Sequence, residues 1–187
     1  MAKIIDVLER NPVIPAIKNE DFLEEAIDSS NELNFIVMSS LLNIKKIVNK
    51  LKENGKVVFV HIDMVSGLSS ENYTVDYIMN EIAPHGLITT KHNIVSYAKK
   101  QKISIIQRFF IIDSFSLENS IIHIRENKPD AIEVLPGIIP SIITRIEKLV
   151  KIPIIASGLI ETKDDITKAI NAGAIGVSTS KKKLWNI

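Results

Sequence analysis

Short apolar runs, each ending in a polar tip and followed by an amphipathic stretch, recur from Val13 to Trp185. Eight of them read as strands, at residues 13–17, 35–38, 57–62, 86–89, 103–107, 131–135, 153–156 and 174–178. They are apolar at consecutive rather than alternate positions, as expected of parallel strands buried on both faces. Helical spacing fills the intervals at 21–29, 41–53, 73–82, 94–101, 115–125, 139–150 and 164–172, after a short first helix at 4–10. Asn54-Gly55 and the turn at 171–173 put glycine just past a helix end, where a left-handed C-cap is wanted.

Alternating strands and helices in this number predict a compact α/β fold, a (β/α)8 TIM-like barrel with the N-terminal helix outside the repeat. A doubly wound open sheet is the alternative, because the repeat is only about 23 residues and such barrels typically total about 250. Residues 1–187 read as one domain, with no linker or low-complexity segment. A chain of this length buries roughly 70 % of its unfolded surface.

Charge changes the picture only locally. The formal net charge is +1, so no global field recruits nucleic acid or membrane. Residues 20–32 hold six acids and no base, 43–56 five lysines against one Glu, and 91–102 four lysines and no acid. The simplest reading is of solvated helix faces. Cysteine is absent, which excludes disulfides and thiolate chemistry. No apolar stretch approaches the ~20 residues of a membrane span, and no secretory pattern opens the chain. A cytoplasmic location and no membrane partner are the expectation.

Ligands of parallel α/β sheets bind at the carboxyl ends of the strands, and polar residues gather there. His61 and Asp63 stand two apart on a strand, so their side chains share one face, and suit a metal, a base with its orienter, or a hydrogen-bonded rim pair. Lys91 follows two threonines, where an ammonium and hydroxyls can meet a phosphate or carbonyl, or simply open a surface helix. Arg108, between an apolar run and two Phe, needs an internal acid or an anionic ligand, because an unpaired charge is costly there. Asp113 and Glu133 are possible partners, and Glu133 interrupts an otherwise apolar strand.

The last two strands are followed by Ser157-Gly158 and by Ser178-Thr179-Ser180. Many barrels hold phosphate between these loops, using backbone N–H groups and a short extra helix. Gly158 allows close approach and Ser180 is placed to cap that helix. No GxGxxG, Walker loop, HExxH or nucleophile elbow occurs, and ten aromatics form no RNP-like cluster. No catalytic residue, metal ligand or cofactor is expected.

These segments resemble the glycerol-3-phosphate-responsive transcription antiterminator family over nearly the whole chain. The resemblance is carried by residues 13–19, 60–68, 88–91, 107–113, 132–140, 152–160 and 177–185, most specifically by GluValLeuProGlyIleIlePro at 133–140. It implies a small barrel that binds glycerol 3-phosphate and, when loaded, binds the leader mRNA of glycerol genes and suppresses a terminator. The family commonly has AlaGlyGlyLeu after strand seven; here Ser157 adds a Cβ where phosphate approaches.

Two functions remain to be weighed. One is a non-catalytic sensor, holding the ligand with His61, Asp63, Lys91, Arg108, Glu133, Ser157, Gly158, Ser178, Thr179 and Ser180. Its RNA contacts would come from lysine-rich helices, at Lys45, Lys46, Lys99 and Lys100, and a homo-oligomer is compatible with it. The other is a barrel enzyme of isomerase or aldolase type acting on a small phosphorylated metabolite, with proton transfer or Schiff-base chemistry at the mouth.

Overall fold

The structure is a computed structural model that describes residues 4–69 and 71–187. Eight parallel strands follow one another around a closed barrel. They are β1 (Val13–Ile17), β2 (Leu33–Ile36), β3 (Val57–His61), β4 (Gly86–Thr89), β5 (Ile105–Phe110), β6 (Ala131–Leu135), β7 (Ile154–Ser157) and β8 (Gly176–Thr179). β8 returns to β1 through Val13–Val177 and Ile14–Ser178, so the ring has no open edge and no point of strand reversal. The open-sheet alternative is excluded.

Helix α1 (Ile4–Arg10) precedes the barrel. Between strands run α2 (Leu23–Asp28), α3 (Ile44–Glu53), α4 (Asn72–Tyr77), α5 (His92–Lys100), α6 (Ser114–Asn127), α7 (Pro140–Leu149) and α8 (Lys163–Asn171). Their starts are chemically defined. Asp113 with Ser116 and Thr162 with Asp165 form reciprocal capping boxes, and Pro140 occupies a first-turn position whose missing N–H costs nothing. One π turn, Ile78–Ile82, extends α4.

Alternation along each strand divides the core in two. Ile14, Leu33, Phe35, Phe59, Ile88, Ile106, Ala131 and Ile155 point inward and fill the barrel. Gly86 is required beside them, because any Cβ there would collide with the Phe59 ring. Val7 and Leu8 of α1 join this inner cluster, with Leu8 against Gly176 at the start of β8. α1 therefore lies outside the repeat but plugs the barrel floor. The outward residues pack under the helices in a second cluster.

β8 is followed by the 3-10 turn Lys182–Leu184 and by Trp185, which is 1 % exposed. Its indole N–H donates to the Thr179 carbonyl at 2.9 Å and its ring lies 5.9 Å from that of Phe22. Short connections explain how so few residues close a barrel.

Strand limits move by up to three residues from the sequence expectation. The fifth strand runs Ile105–Phe110 rather than 103–107, because the Ile103 N–H is spent closing α5 on Ala98. The second begins at Leu33, whose partner Val57 extends the ladder. A check of the plugged floor follows. Leu8→Ala, removing a 2 %-exposed side chain from the inner cluster, should lower unfolding free energy by about 2–5 kcal/mol in urea denaturation. Ile5→Ala, at a 38 %-exposed position of the same helix, should cost far less.

Candidate ligand site at the barrel mouth

The inward positions nearest the carboxyl ends of the strands are polar where deeper ones are apolar. β3, β5, β6, β7 and β8 contribute His61, Arg108, Glu133, Ser157 and Ser178 in turn. Arg108 lies within β5, not after it, in register with Glu133 on β6. Neighbouring strands therefore bring the two side chains together, and Arg108 Nε donates to Glu133 Oε2 at 2.7 Å. Glu133 is fully buried and the arginine side chain 11 % exposed. The second carboxylate oxygen, Oε1, has no partner.

This geometry aims the arginine. With Nε committed to Glu133, both terminal nitrogens stay free of intramolecular bonds among the described residues, and Arg108 lines a cavity of about 500 Å³. Ser157, Gly158, Ser178, Thr179 and Ser180 line the same cavity. The Ser178 hydroxyl, 1 % exposed as a residue, is buried without a partner. An orphaned hydroxyl and an arginine's unused donors, lining one cavity, are groups that can donate to an anion.

His61 is 2 % exposed, and its Nδ1 also lacks a partner. Burial and the Arg108 charge hold its imidazole down to about 4, against a smaller pull upward from Asp63, so the ring is neutral near pH 7. It stands behind the cavity rather than among its lining residues.

Two expected residues do not converge. Asp63 falls in the 3-10 turn Ile62–Met64, off the strand, so it does not share a strand face with His61. Burial pushes its carboxyl up, but bonds from the Thr90 N–H at 2.7 Å and the hydroxyls of Thr89 and Thr90 at 2.8 Å outweigh this and hold it low. It ties the loop after β3 to the end of β4. Lys91 is exposed at the start of α5, outside the cavity.

The final loops are also partly committed to structure. The Thr179 hydroxyl donates to the Ile160 carbonyl and accepts from the Lys181 N–H. Ser180 does not cap the terminal turn, whose preceding residue is Lys181 with no side-chain cap bond. A three-residue turn supplies little dipole, so any anion here is held by side chains and loop amides. Lys181 and Glu161 pair at 2.8 Å across the two loops.

Lys18 lines the cavity and was not among the expected site residues. Its signal was present: it is the first residue past an apolar strand, as Lys91 is nearly so after β4. Of the lysines expected at RNA, Lys45 and Lys46 sit in the first turn of α3, paired with Glu81 at 3.8 Å and Glu20 at 3.0 Å. Lys99 and Lys100 end α5, with Lys99 on Asp130 at 2.6 Å. Helices run back from mouth to floor, so these two pairs lie at opposite ends of the barrel.

Comparison with known proteins agrees with the fold and names the family. Residues 13–185 match the sequence profile of the glycerol-3-phosphate responsive antiterminators. The uncharacterized protein YgcP of Escherichia coli K12 is 32 % identical over 184 residues, covering 98 % of this chain and 96 % of that protein. The crystal structure of the glycerol uptake operon antiterminator regulatory protein from Listeria monocytogenes superposes with a TM-score of 0.90 at 36 % identity, over 94 % of this chain and 95 % of that one. A glycerol uptake operon antiterminator-related protein from Thermotoga maritima gives 0.83 at 32 %, over 92 % and 96 %. Orotidine 5′-phosphate decarboxylase from Pyrococcus horikoshii, at 18 % identity and a TM-score of 0.70, shares the barrel alone. The match over nearly the whole length places this chain in the glycerol-3-phosphate responsive antiterminator family.

Proposed function

We propose that the protein is a non-catalytic sensor that binds glycerol 3-phosphate in the mouth cavity. In the loaded state it binds the leader mRNA of glycerol genes and suppresses a transcription terminator. The observation that carries the ligand reading is that the unpartnered Ser178 hydroxyl and the free terminal nitrogens of Arg108 belong to residues lining one cavity. The phosphate is taken by Arg108, Ser178 and Ser157 with the amides of the two final loops, while Lys18 adds charge at the rim. Glu133 acts as a positioning residue for Arg108. Ser157, facing inward, offers a further hydroxyl where relatives commonly have glycine. Glycerol hydroxyls turn toward the polar rim. RNA binding rests on the family description and on the names of the two related regulators.

The chemistry at the mouth favours binding over turnover. None of the eight strands carries a lysine; the two lysines that line the cavity, Lys18 and Lys181, stand in the loops after β1 and β8. His61, the one strand histidine, is neutral but withdrawn from the cavity lining. Membership of a regulatory family points the same way.

Calorimetry with glycerol 3-phosphate tests the site. Ser178→Ala should weaken binding several-fold to tenfold, the worth of one hydrogen bond of about 0.5–1.5 kcal/mol. Ser178→Asp, which adds like charge beside the phosphate, should weaken it further. Unchanged affinity in correctly folded variants would move the phosphate elsewhere. Phosphorus NMR of the mixture should show bound ligand without conversion, whereas turnover would establish the enzyme.

The neutral His61 has a consequence for stability. Its folded value of about 4 lies below the ordinary 6.5. The unfolded chain therefore takes up a proton that the folded one refuses, and stability falls as pH drops from about 6.5 to 4, by about 3 kcal/mol over the full window. His61→Gln should flatten that part of the profile in urea denaturation at pH 7.5 and 4.5; an unaltered slope would show that His61 is not the group responsible.

A further inference from the structure

The two ends of the barrel differ in charge. The segments that follow the strands, at the mouth, hold six carboxylates and five lysines. Loops leading from helices to strands, at the floor, hold two carboxylates and four lysines. The floor charge is concentrated where α5, α6 and α7 end side by side. Residues 99–102, 125–130 and 147–151 together hold seven cations and three acids, in a chain whose formal net charge is only +1.

Cations in a last helical turn complement the helix dipole, which accounts for Lys100, Arg125 and Lys148. It does not account for Lys102 and Lys128. Both adopt left-handed backbone, with φ of 58° and 46°, immediately after α5 and α6. Glycine takes this conformation without steric cost and is the usual residue there. Each site keeps a lysine instead, and neither ammonium has an intramolecular partner among the described residues.

Between the ends of α6 and α7 lies a second cavity of about 500 Å³. Its walls are apolar (Ile124, Pro129, Leu149, Val150, Ile152), and Arg125, Lys128 and Lys151 form its rim. Arg125 spends one terminal nitrogen on the Leu149 carbonyl at 3.1 Å, which fixes its plane over the cleft. An apolar slot under three cations matches an unstacked base with its flanking phosphates.

We propose that this floor surface, centred on the cleft between α6 and α7 and extended by Lys100 and Lys102, is where single-stranded RNA binds. The inference rests on the antiterminator reading above and gives it a location. RNA lies on the floor, away from the ligand mouth, and α3 with Lys45 and Lys46 takes no part. The basic floor attracts a polyanion more strongly than the near-neutral mouth does.

The test uses the whole chain saturated with glycerol 3-phosphate. The probe is a fluorescein-labelled transcript of the leader preceding the glycerol uptake genes of the same genome. In the variant Lys102→Gly, Lys128→Gly, Lys151→Ser the two glycines fit the left-handed positions, so the fold is retained. Affinity should fall about a hundredfold at 0.15 M salt, and the salt slope should lessen by about two, roughly 0.7 for each single-strand phosphate no longer neutralised. Glycerol 3-phosphate affinity should stay unchanged in that variant, as should RNA affinity in Lys45→Ser, Lys46→Ser. RNA bound equally well by the floor variant, or no longer bound by the α3 variant instead, overturns the inference while leaving the antiterminator reading intact. So does a floor variant that loses only binding to phosphatidylglycerol vesicles. Failure of the unmodified, ligand-saturated chain to bind the leader defeats both.

Discussion

A charge inside a barrel persists only if its partner is supplied by the same geometry that buries it. Arg108 and Glu133 meet this condition because β5 and β6 lie in register, which sets the two inward side chains directly across one hydrogen-bonded pair of strands. The pairing contributes little net stability, since desolvation offsets most of the attraction, but removal of either partner would strand the other. Its structural effect is directional. It spends Nε on the wall and leaves the rest of the guanidinium for the cavity, which Ser178, its hydroxyl without a partner, also lines. The apolar interior below, sealed by Val7 and Leu8, fixes how deep a ligand can go.

The fold was legible in the sequence because apolar runs and helical spacing report burial directly. Runs such as Val57–His61 and Ala131–Leu135 are buried almost throughout, as their lack of alternation implied. The ends were less legible. Whether Arg108 closes a strand or lies within it depends on pairing with β6 out to Leu135, between residues distant in the chain. The role of α1 was hidden for the same reason, because a helix outside the repeat reveals its plug only when Leu8 meets Gly176.

The site was partly legible. Arg108, Glu133, Ser157 and Ser178 stood out as polar residues at apolar strand ends, and the barrel brings them to one mouth. Asp63 and Lys91 had the same signal, yet a single turn beyond His61 carries Asp63 onto Thr89 and Thr90, and the onset of α5 leaves Lys91 on the surface. Sequence spacing cannot distinguish a residue that ends a strand from one that starts the next turn. Nor could it separate the lysines of α3 from those of α5, which the antiparallel run of helix against strand sends to opposite ends.

The two ends of the barrel differ, with a cavity lined by Arg108 and Ser178 at one and a cluster of lysines at the other. The account depends most on the mouth cavity being the effector site. A crystal structure of the chain with glycerol 3-phosphate tests this directly. The account predicts phosphate density with oxygens within hydrogen-bond distance of the Arg108 terminal nitrogens and Ser178 Oγ, and with Arg108 still bonded to Glu133 through Nε. Phosphate density at Lys91 and Asp63, or in the cleft between α6 and α7, with the mouth cavity left to solvent, would contradict it.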